Sequence, residues 1–167
     1  MPPRSMLYGL TTIKGGPDMN IKRDKRDAVF SQLTREGAGW TCDRCGKYHP
    51  EGFRQSLHCS HIYSRRNRMT RWMPLNAAAH CFACHNFLGE NPLIFAEWAK
   101  GHLGKKNYEK LGRLVRTRAK LSKPDLEEIH TDLKREYDRM MALRMDGVEG
   151  RIAFDVPGPI KRLMGAA

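Results

Sequence analysis

Apolar residues recur at helical spacing in four stretches of the chain, and one short stretch reads as a strand. From Ile21 to Glu36, Ala28, Val29 and Leu33 line one side of an otherwise basic segment that ends near Gly37, which predicts a helix. Asn91-Pro92 supplies a cap and a proline at the first helical position, ahead of Leu93, Phe95, Ala96 and Trp98, with a stop near Gly101. Tyr108 to about Lys120 carries Leu111, Leu114 and Val115 on one side. A longer helix opens at Ser122 or Lys123 and repeats Leu126, Ile129, Leu133, Tyr137, Met140 and Met141 at helical spacing as far as Arg144. Leu57 to Tyr63 reads as a strand. Residues 1–20 show no period and read as an arm, and the glycines and prolines from Asp146 onward read as a tail. No internal repeat is visible.

Charge changes this picture first. Thirty Lys and Arg against 18 Asp and Glu give a net charge of +12, a surplus that suits a polyanionic partner, nucleic acid before membrane. No apolar run reaches membrane-spanning length, and the N-terminus lacks a signal-peptide pattern, so a soluble, cytoplasmic protein is expected.

The cysteines change it next. Four of the five form two C-x-x-C pairs, Cys42 with Cys45 and Cys81 with Cys84, separated by 35 residues. Two residues between thiolates let both sulfurs meet one ion from a tight turn, at roughly 2.3 Å, and two such turns complete a tetrahedron. One structural zinc is therefore expected, closed to chemistry because no coordination position stays open. A redox pair fits a lone C-x-x-C better than two of them. Cys59 is expected to be a small buried residue.

Candidate chemistry lies between the two pairs. Leu57-His58-Cys59-Ser60-His61-Ile62-Tyr63 is bounded by Arg54 and by the run Arg65-Arg66-Asn67-Arg68. Arg71-Trp72-Met73-Pro74-Leu75-Asn76 ends five residues before Cys81, and His85-Asn86 follows Cys84. A histidine from a strand, an asparagine from a turn and a histidine at a helix start are thus tied to the same cysteine staple. On a strand His58 and Ser60 share one face and His61 takes the other. Trp72, Phe95 and Trp98 are expected in the core, and His80 is expected to pack or face solvent. His49, His102 and His130 carry no motif.

This arrangement resembles the HNH, or ββα-metal, nucleases. It is most similar to the zinc-stapled phage branch of lambda NinG-like recombination proteins, and more distantly to the phage endonuclease VII family. The resemblance covers residues 40 to about 115 and rests on the two cysteine pairs, Ser60-His61-Ile62-Tyr63, Asn76, Cys84-His85-Asn86, and Gly89-Glu-Asn-Pro92 with Phe95, Trp98 and Gly104. It implies an α+β fold in which a small zinc-stapled ββα-metal core sits within a mostly helical chain. The implied divisions are an arm and basic helix at 1–39, the nuclease core at 40–115, a C-terminal helix at 116–145 and a tail at 146–167.

The resemblance also implies roles. His61 would deprotonate the attacking water, and Asn76 would orient His61 by a hydrogen bond and pin the loop. His85 would hold a catalytic divalent ion. Many members carry an acidic residue where this chain has Ser60, so His58 is expected to join His85 as the second ligand. Two imidazoles admit manganese, nickel or zinc as well as magnesium. Arg65, Arg66, Arg68 and Arg71 are expected to bind phosphates. The implied function is DNA endonuclease activity on duplex or branched substrates, in phage or prophage recombination, junction processing or genome handling. The implied setting is the cytoplasm of a bacterial host, with phage replication, recombination or packaging proteins as partners. The alternative is a non-catalytic zinc module that binds nucleic acid. The long helix is expected either to pack back on the core or to pair with a second copy as a homodimer.

Overall fold

The computed structural model describes residues 21–50 and 56–165, so the expected N-terminal arm and Arg54 lie outside the described residues. Among the described residues the chain is a mixed α/β structure of six helices and one two-stranded sheet. The helices are α1 (Lys25–Gly37), α2 (Phe82–Glu90), α3 (Pro92–Leu103), α4 (Lys105–Leu114), α5 (Lys123–Met145) and α6 (Gly158–Gly165). The strands are β1 (Leu57–His61) and β2 (Ala77–Cys81), with a single 3-10 turn at Pro74–Asn76 before β2.

The start of α1 is set by Asp24. Its carboxylate accepts from the Arg26 and Asp27 amides at 2.9 and 3.3 Å, and Asp27 returns the bond to the Asp24 amide at 2.9 Å. Two orphan amides are satisfied reciprocally, the capping-box arrangement. The same device opens α5, where Ser122 and Asp125 cap each other. Phe30 and Leu33 of α1 are buried with Ile129, Leu133 and Met140 of α5, so the long helix lays its apolar side on the chain's own core. Met69, Trp72 and Met73 from the loop before β2 fill the space between them.

The segment after Asp146 corrects the expected tail. Ile152 and Ile160 are buried in the same core, and the Ile152 amide donates to the Gly37 carbonyl at 2.9 Å. That close approach suits glycine, because a Cβ at Gly37 would stand 2.9 Å from the Ile152 oxygen. The eight residues of α6 then dock on α5: the Gly158 amide donates to Asp132 at 2.7 Å, and Arg162 grips Glu128 through two bonds of 2.8 Å. Glycines and prolines bend this segment back onto the core. The expected helix from Tyr108 to Lys120 is also displaced, since α4 begins at Lys105 and ends at Leu114.

β1 and β2 pair antiparallel, with Leu57 opposite Cys81, His58 opposite His80 and His61 opposite Ala77. Alternation sends Cys59 and His61 toward α1 and sends His58 and Ser60 toward α2. The free edge of β1 lies between the two helices.

Arg71 was expected to bind phosphate, and here the structure corrects the sequence. Its guanidinium lies buried against Asp27, donating from Nε at 2.9 Å and from Nη2 at 2.5 Å, while the Trp72 indole donates to the same carboxylate at 3.1 Å. A bidentate pair closed off by a buried tryptophan leaves Arg71 no phosphate-binding capacity. Burial raises the Asp27 pKa, but the Arg71 bonds, the Asp24 amide and the Arg71 charge outweigh it and hold the carboxyl below 3.8. Removing one member of such a pair strands the other without a partner. Arg71→Ala should therefore cost about 3 to 5 kcal/mol in denaturant unfolding. The depressed pKa means that the Asp27 contribution is complete above about pH 3.8 and is lost as pH falls through the lower folded value. The stability gap between the native chain and Asp27→Asn should accordingly narrow below that pH.

Candidate functional site

The four cysteines converge. Their sulfurs lie within 4.8 Å of one another, in a cluster that could hold a structural metal such as zinc. The first pair sits on a tight turn in which the Gly46 amide donates to the Cys42 carbonyl and the Cys42 amide to the Lys47 carbonyl, both at 2.9 Å. Gly46 adopts φ 71°, a left-handed conformation that glycine enters without steric cost. The second pair spans the junction of β2 and α2, with Cys81 as the cap of α2 and Cys84 in its first turn. Asp43 clamps the first turn to β2: its amide donates to the Ala79 carbonyl at 2.7 Å, and its carboxylate accepts from the Ala79 amide at 2.6 Å. Arg151 binds the same carboxylate from the far end of the chain.

Thiol chemistry in this cluster is uneven. Burial opposes ionisation of Cys42, but the amides of Cys45, Cys81 and Arg44 bring its pKa down to about 7. Burial, the adjoining Cys81 and Cys45 thiols and the Cys42 charge push Cys84 up to about 12, against a bond from Arg44 at 3.6 Å. A dication that gathers all four thiolates must displace protons, so its binding weakens in acid.

Beside the cluster, α2 carries His85 onto the β1 face that holds His58 and Ser60. His85 Nδ1 and Ser60 Oγ are 2.6 Å apart, and the His58 and His85 rings stack with centroids 4.9 Å apart and planes 4° from parallel. Burial, then the neighbouring His58, lowers the pKa of His85 below 6.5. His58 Nε2 is buried without a hydrogen-bond partner among the described residues. Both rings thus offer a nitrogen to a ligand.

On the opposite face, His61 Nε2 lies 2.9 Å from the backbone carbonyl of Arg71. A carbonyl only accepts, so Nε2 carries the proton and Nδ1 keeps its lone pair. Burial lowers the His61 pKa below 6.5, and the Arg71 carbonyl opposes this only in part. The imidazole is neutral at pH 7 and able to receive a proton at Nδ1.

Asn76 acts differently from expectation. Its side-chain oxygen accepts from the Tyr63 amide at 2.8 Å, and its amide group donates to the Tyr63 and Thr70 carbonyls at 3.0 Å each. It pins the loop that presents the Arg71 carbonyl, and it reaches His61 only through that loop. His80, opposite His58 in the sheet, is wholly buried, with its ring 4.5 Å from Trp98 and 6.0 Å from Phe95. Burial drops its pKa to about 4, so it is a neutral packing residue.

His58, His61 and His85 line one cleft of about 690 Å³ at the free edge of β1. The opposite wall is α1 and the segment before it, contributing Arg23, Asp24, Asp27, Ser31, Gln32 and Arg35, with Arg65 at the end of β1. The structure therefore brings together the three histidines and Arg65. It places Arg66 and Arg68 on the exposed loop beside them and removes Arg71 to the core. The α1 wall was missed in the sequence, where Arg23 and Arg35 read only as part of a basic helix. Phe82 was missed as well: it is 60% exposed, and its ring lies 6.0 Å from that of His58.

No family model, curated protein or solved structure matches the chain. Among the described residues no helix is long and apolar enough to cross a membrane.

If the sulfur cluster holds zinc, purified protein should contain about one zinc per chain by mass spectrometry, in line with a closed four-thiolate site. Cys42→Ser and Cys81→Ser should each lose most of that metal and lower the melting temperature. Release of zinc to a chelator should accelerate as pH falls, because protons compete with the ion for the thiolates.

Proposed function

We propose that this chain is a divalent-metal-dependent endonuclease of the HNH type, built on a zinc staple. The observation that carries the reading is the shared cleft: a neutral imidazole whose Nε2 is engaged by a carbonyl, a stacked pair of imidazoles from β1 and the start of α2, and several arginines all line the same space. A protein that only binds nucleic acid has no need of a cleft-lining histidine whose Nε2 is committed to a carbonyl so that Nδ1 keeps its lone pair.

The residues present fit a divalent ion. In this reading His85 ligates through Nε2, with its Nδ1–H donated to Ser60 Oγ, the outer-shell bond that fixes a ligand imidazole. Ser60 thus orients a ligand and does not replace the carboxylate as one. His58 offers its unpartnered Nε2. The two rings lie in parallel planes, so joint ligation requires one of them to turn about its χ2 bond. When bound, the ion offsets negative charge on the phosphate and on the leaving oxygen.

His61 performs the proton transfer. Its Nδ1 takes a proton from the water whose oxygen bonds to phosphorus as the phosphorus–oxygen ester bond breaks. The bond from Nε2–H to the Arg71 carbonyl holds the ring in the required tautomer and steadies the imidazolium that forms. Arg65 and Arg23 favour the phosphate in the cleft. The assignment to phage or prophage recombination, junction processing or genome handling rests on the motif resemblance alone.

Incubation with supercoiled plasmid or a branched junction, in manganese, magnesium or nickel, should convert substrate to nicked or linear product. His61→Ala should lose about 100-fold or more in rate, the usual worth of a positioned general base. His85→Ala should lose comparable activity and keep its zinc. Because burial lowers the His61 pKa, the midpoint of the loss of rate on acidification should lie below pH 6.5. Cleavage that persists in His61→Ala removes the base. An intact protein that binds DNA and cleaves nothing with any of these metals is a zinc-dependent binding module.

A further inference from the structure

Charge is segregated in this molecule. Between Lys100 and Lys123 the chain holds nine Lys and Arg and a single acid, Glu109. Among the described residues none of these nine cations forms an ion pair. Most cations of α5 and α6 beyond Lys123 behave in the opposite way: Arg135 meets Asp132, Arg139 meets Glu136, Lys161 meets Asp155, and Arg162 meets Asp125 and Glu128. The acids therefore neutralise one side of the molecule and leave α4 and the segment after it bare.

That bare face joins the cleft. Leu111 and Leu114 turn inward, which leaves Lys110 and Arg113 exposed on α4, with Arg116 and Arg118 exposed just beyond it. The Asn67 side chain donates to the Val115 carbonyl, and a Cβ at Gly112 would stand 3.7 Å from the Tyr63 hydroxyl. These contacts fix the end of α4 against the loop that carries Arg66 and Arg68. Arg65, at the start of the same loop, lines the cleft itself. Arg65 in the cleft, Arg66 and Arg68 on the loop and the cations at the end of α4 thus lie on segments that touch one another.

We propose that Arg66, Arg68, Lys110, Arg113, Arg116 and Arg118 form one strip that binds the phosphate backbone of a nucleic acid whose neighbouring segment enters the cleft. This rests on the nucleic-acid reading of the cleft and adds the residues that hold the substrate outside it. An anionic membrane would satisfy the same charges. Nucleic acid is favoured because the strip adjoins the cleft through Arg65, and because neither the loop 64–68 nor the segment 105–118 exposes a large apolar side chain to enter a bilayer.

The test uses full-length, zinc-loaded protein carrying His61→Ala, so that binding is read without cleavage, and fluorescence anisotropy of a labelled duplex across a salt series. Arg113→Gln with Arg116→Gln and Arg118→Gln should weaken binding and reduce the slope of log affinity against log salt by about 2 to 3, at roughly 0.9 per phosphate contact. Replacing the same three by lysine should restore the slope. Lys134→Gln with Arg135→Gln and Lys161→Gln, an equal charge change on α5 and α6, should leave the slope unchanged. Zinc content and circular dichroism confirm that each variant is folded. An equal loss of slope from the α5–α6 variant would show a diffuse net-charge effect and overturn the strip. So would an unchanged slope in the α4 variant, or strip-dependent binding to phosphatidylserine vesicles with DNA affinity unaltered. Plasmid cleavage by the native chain is a separate readout. Slope loss without any cleavage keeps the strip and removes the nuclease, whereas cleavage with an unchanged slope does the reverse.

Discussion

Four sulfurs within 4.8 Å of one another cannot all ionise unless a cation lies among them, and the central part of the structure is arranged around that constraint. The first cysteine turn is laid against β2 by Asp43, and the second is the passage from β2 into α2. The sheet has only two strands and little apolar surface of its own. Ala38, Trp40, Leu57 and Ala79 form a thin layer around the sulfurs, separate from the larger core between α1 and α5. A two-stranded hairpin with so small a core is marginal in water, and a metal staple is the usual remedy at this scale. The cysteine cluster also spans the start of α2, and with it the position of His85 one residue beyond Cys84.

The other half of the cleft depends on a different anchor. Asp27 lies in the first turn of α1 and takes hydrogen bonds from the Asp24 amide, both donors of the Arg71 fork and the Trp72 indole. Holding Arg71 there aims its backbone carbonyl at His61 Nε2. Asn76 closes the same loop from below through Tyr63 and Thr70. The proposed base is therefore positioned by a buried ion pair acting through a main-chain carbonyl. The proposed ligands are positioned by the cysteine cluster. These supports converge only at β1, whose two faces carry His61 and the His58–Ser60 pair, so a strand of five residues links both halves of the site.

What could be read from the sequence follows the range of the interactions involved. Caps, periodic apolar positions and C-x-x-C spacing are local, and Asn91-Pro92, Ser122 and the four cysteines all took the expected places. Strand alternation placed Ser60 and His58 on one face and His61 on the other. The misses were long-range pairings. Arg71 reads as one more cation in a basic stretch until the fold brings Asp27 to it across 44 residues. Ile152 and Ile160 are isolated apolar residues among glycines and prolines, with no period to announce burial, and only the grooves beside α1 and α5 give them somewhere to go. Asn76 was rightly marked as a loop pin, whereas its partners could be known only from the path of the chain between Tyr63 and Thr70.

The charge distribution gives these two supports a common logic. A chain with a surplus of +12 gains nothing in stability from cations that repel one another, and the described acids are concentrated where they pair with α1, α5 and α6. Those pairs neutralise the scaffold and hold the C-terminal segment in place. The helix left without them, α4, is short and rests on Leu111 and Leu114 and on the loop through Asn67. Its unpaired cations cost some stability in the free protein through mutual repulsion. A bound polyanion would relieve that repulsion in proportion to the phosphates it brings. The least neutralised part of the fold is therefore the part with most to gain from a nucleic-acid backbone, and it adjoins the cleft where the three histidines meet.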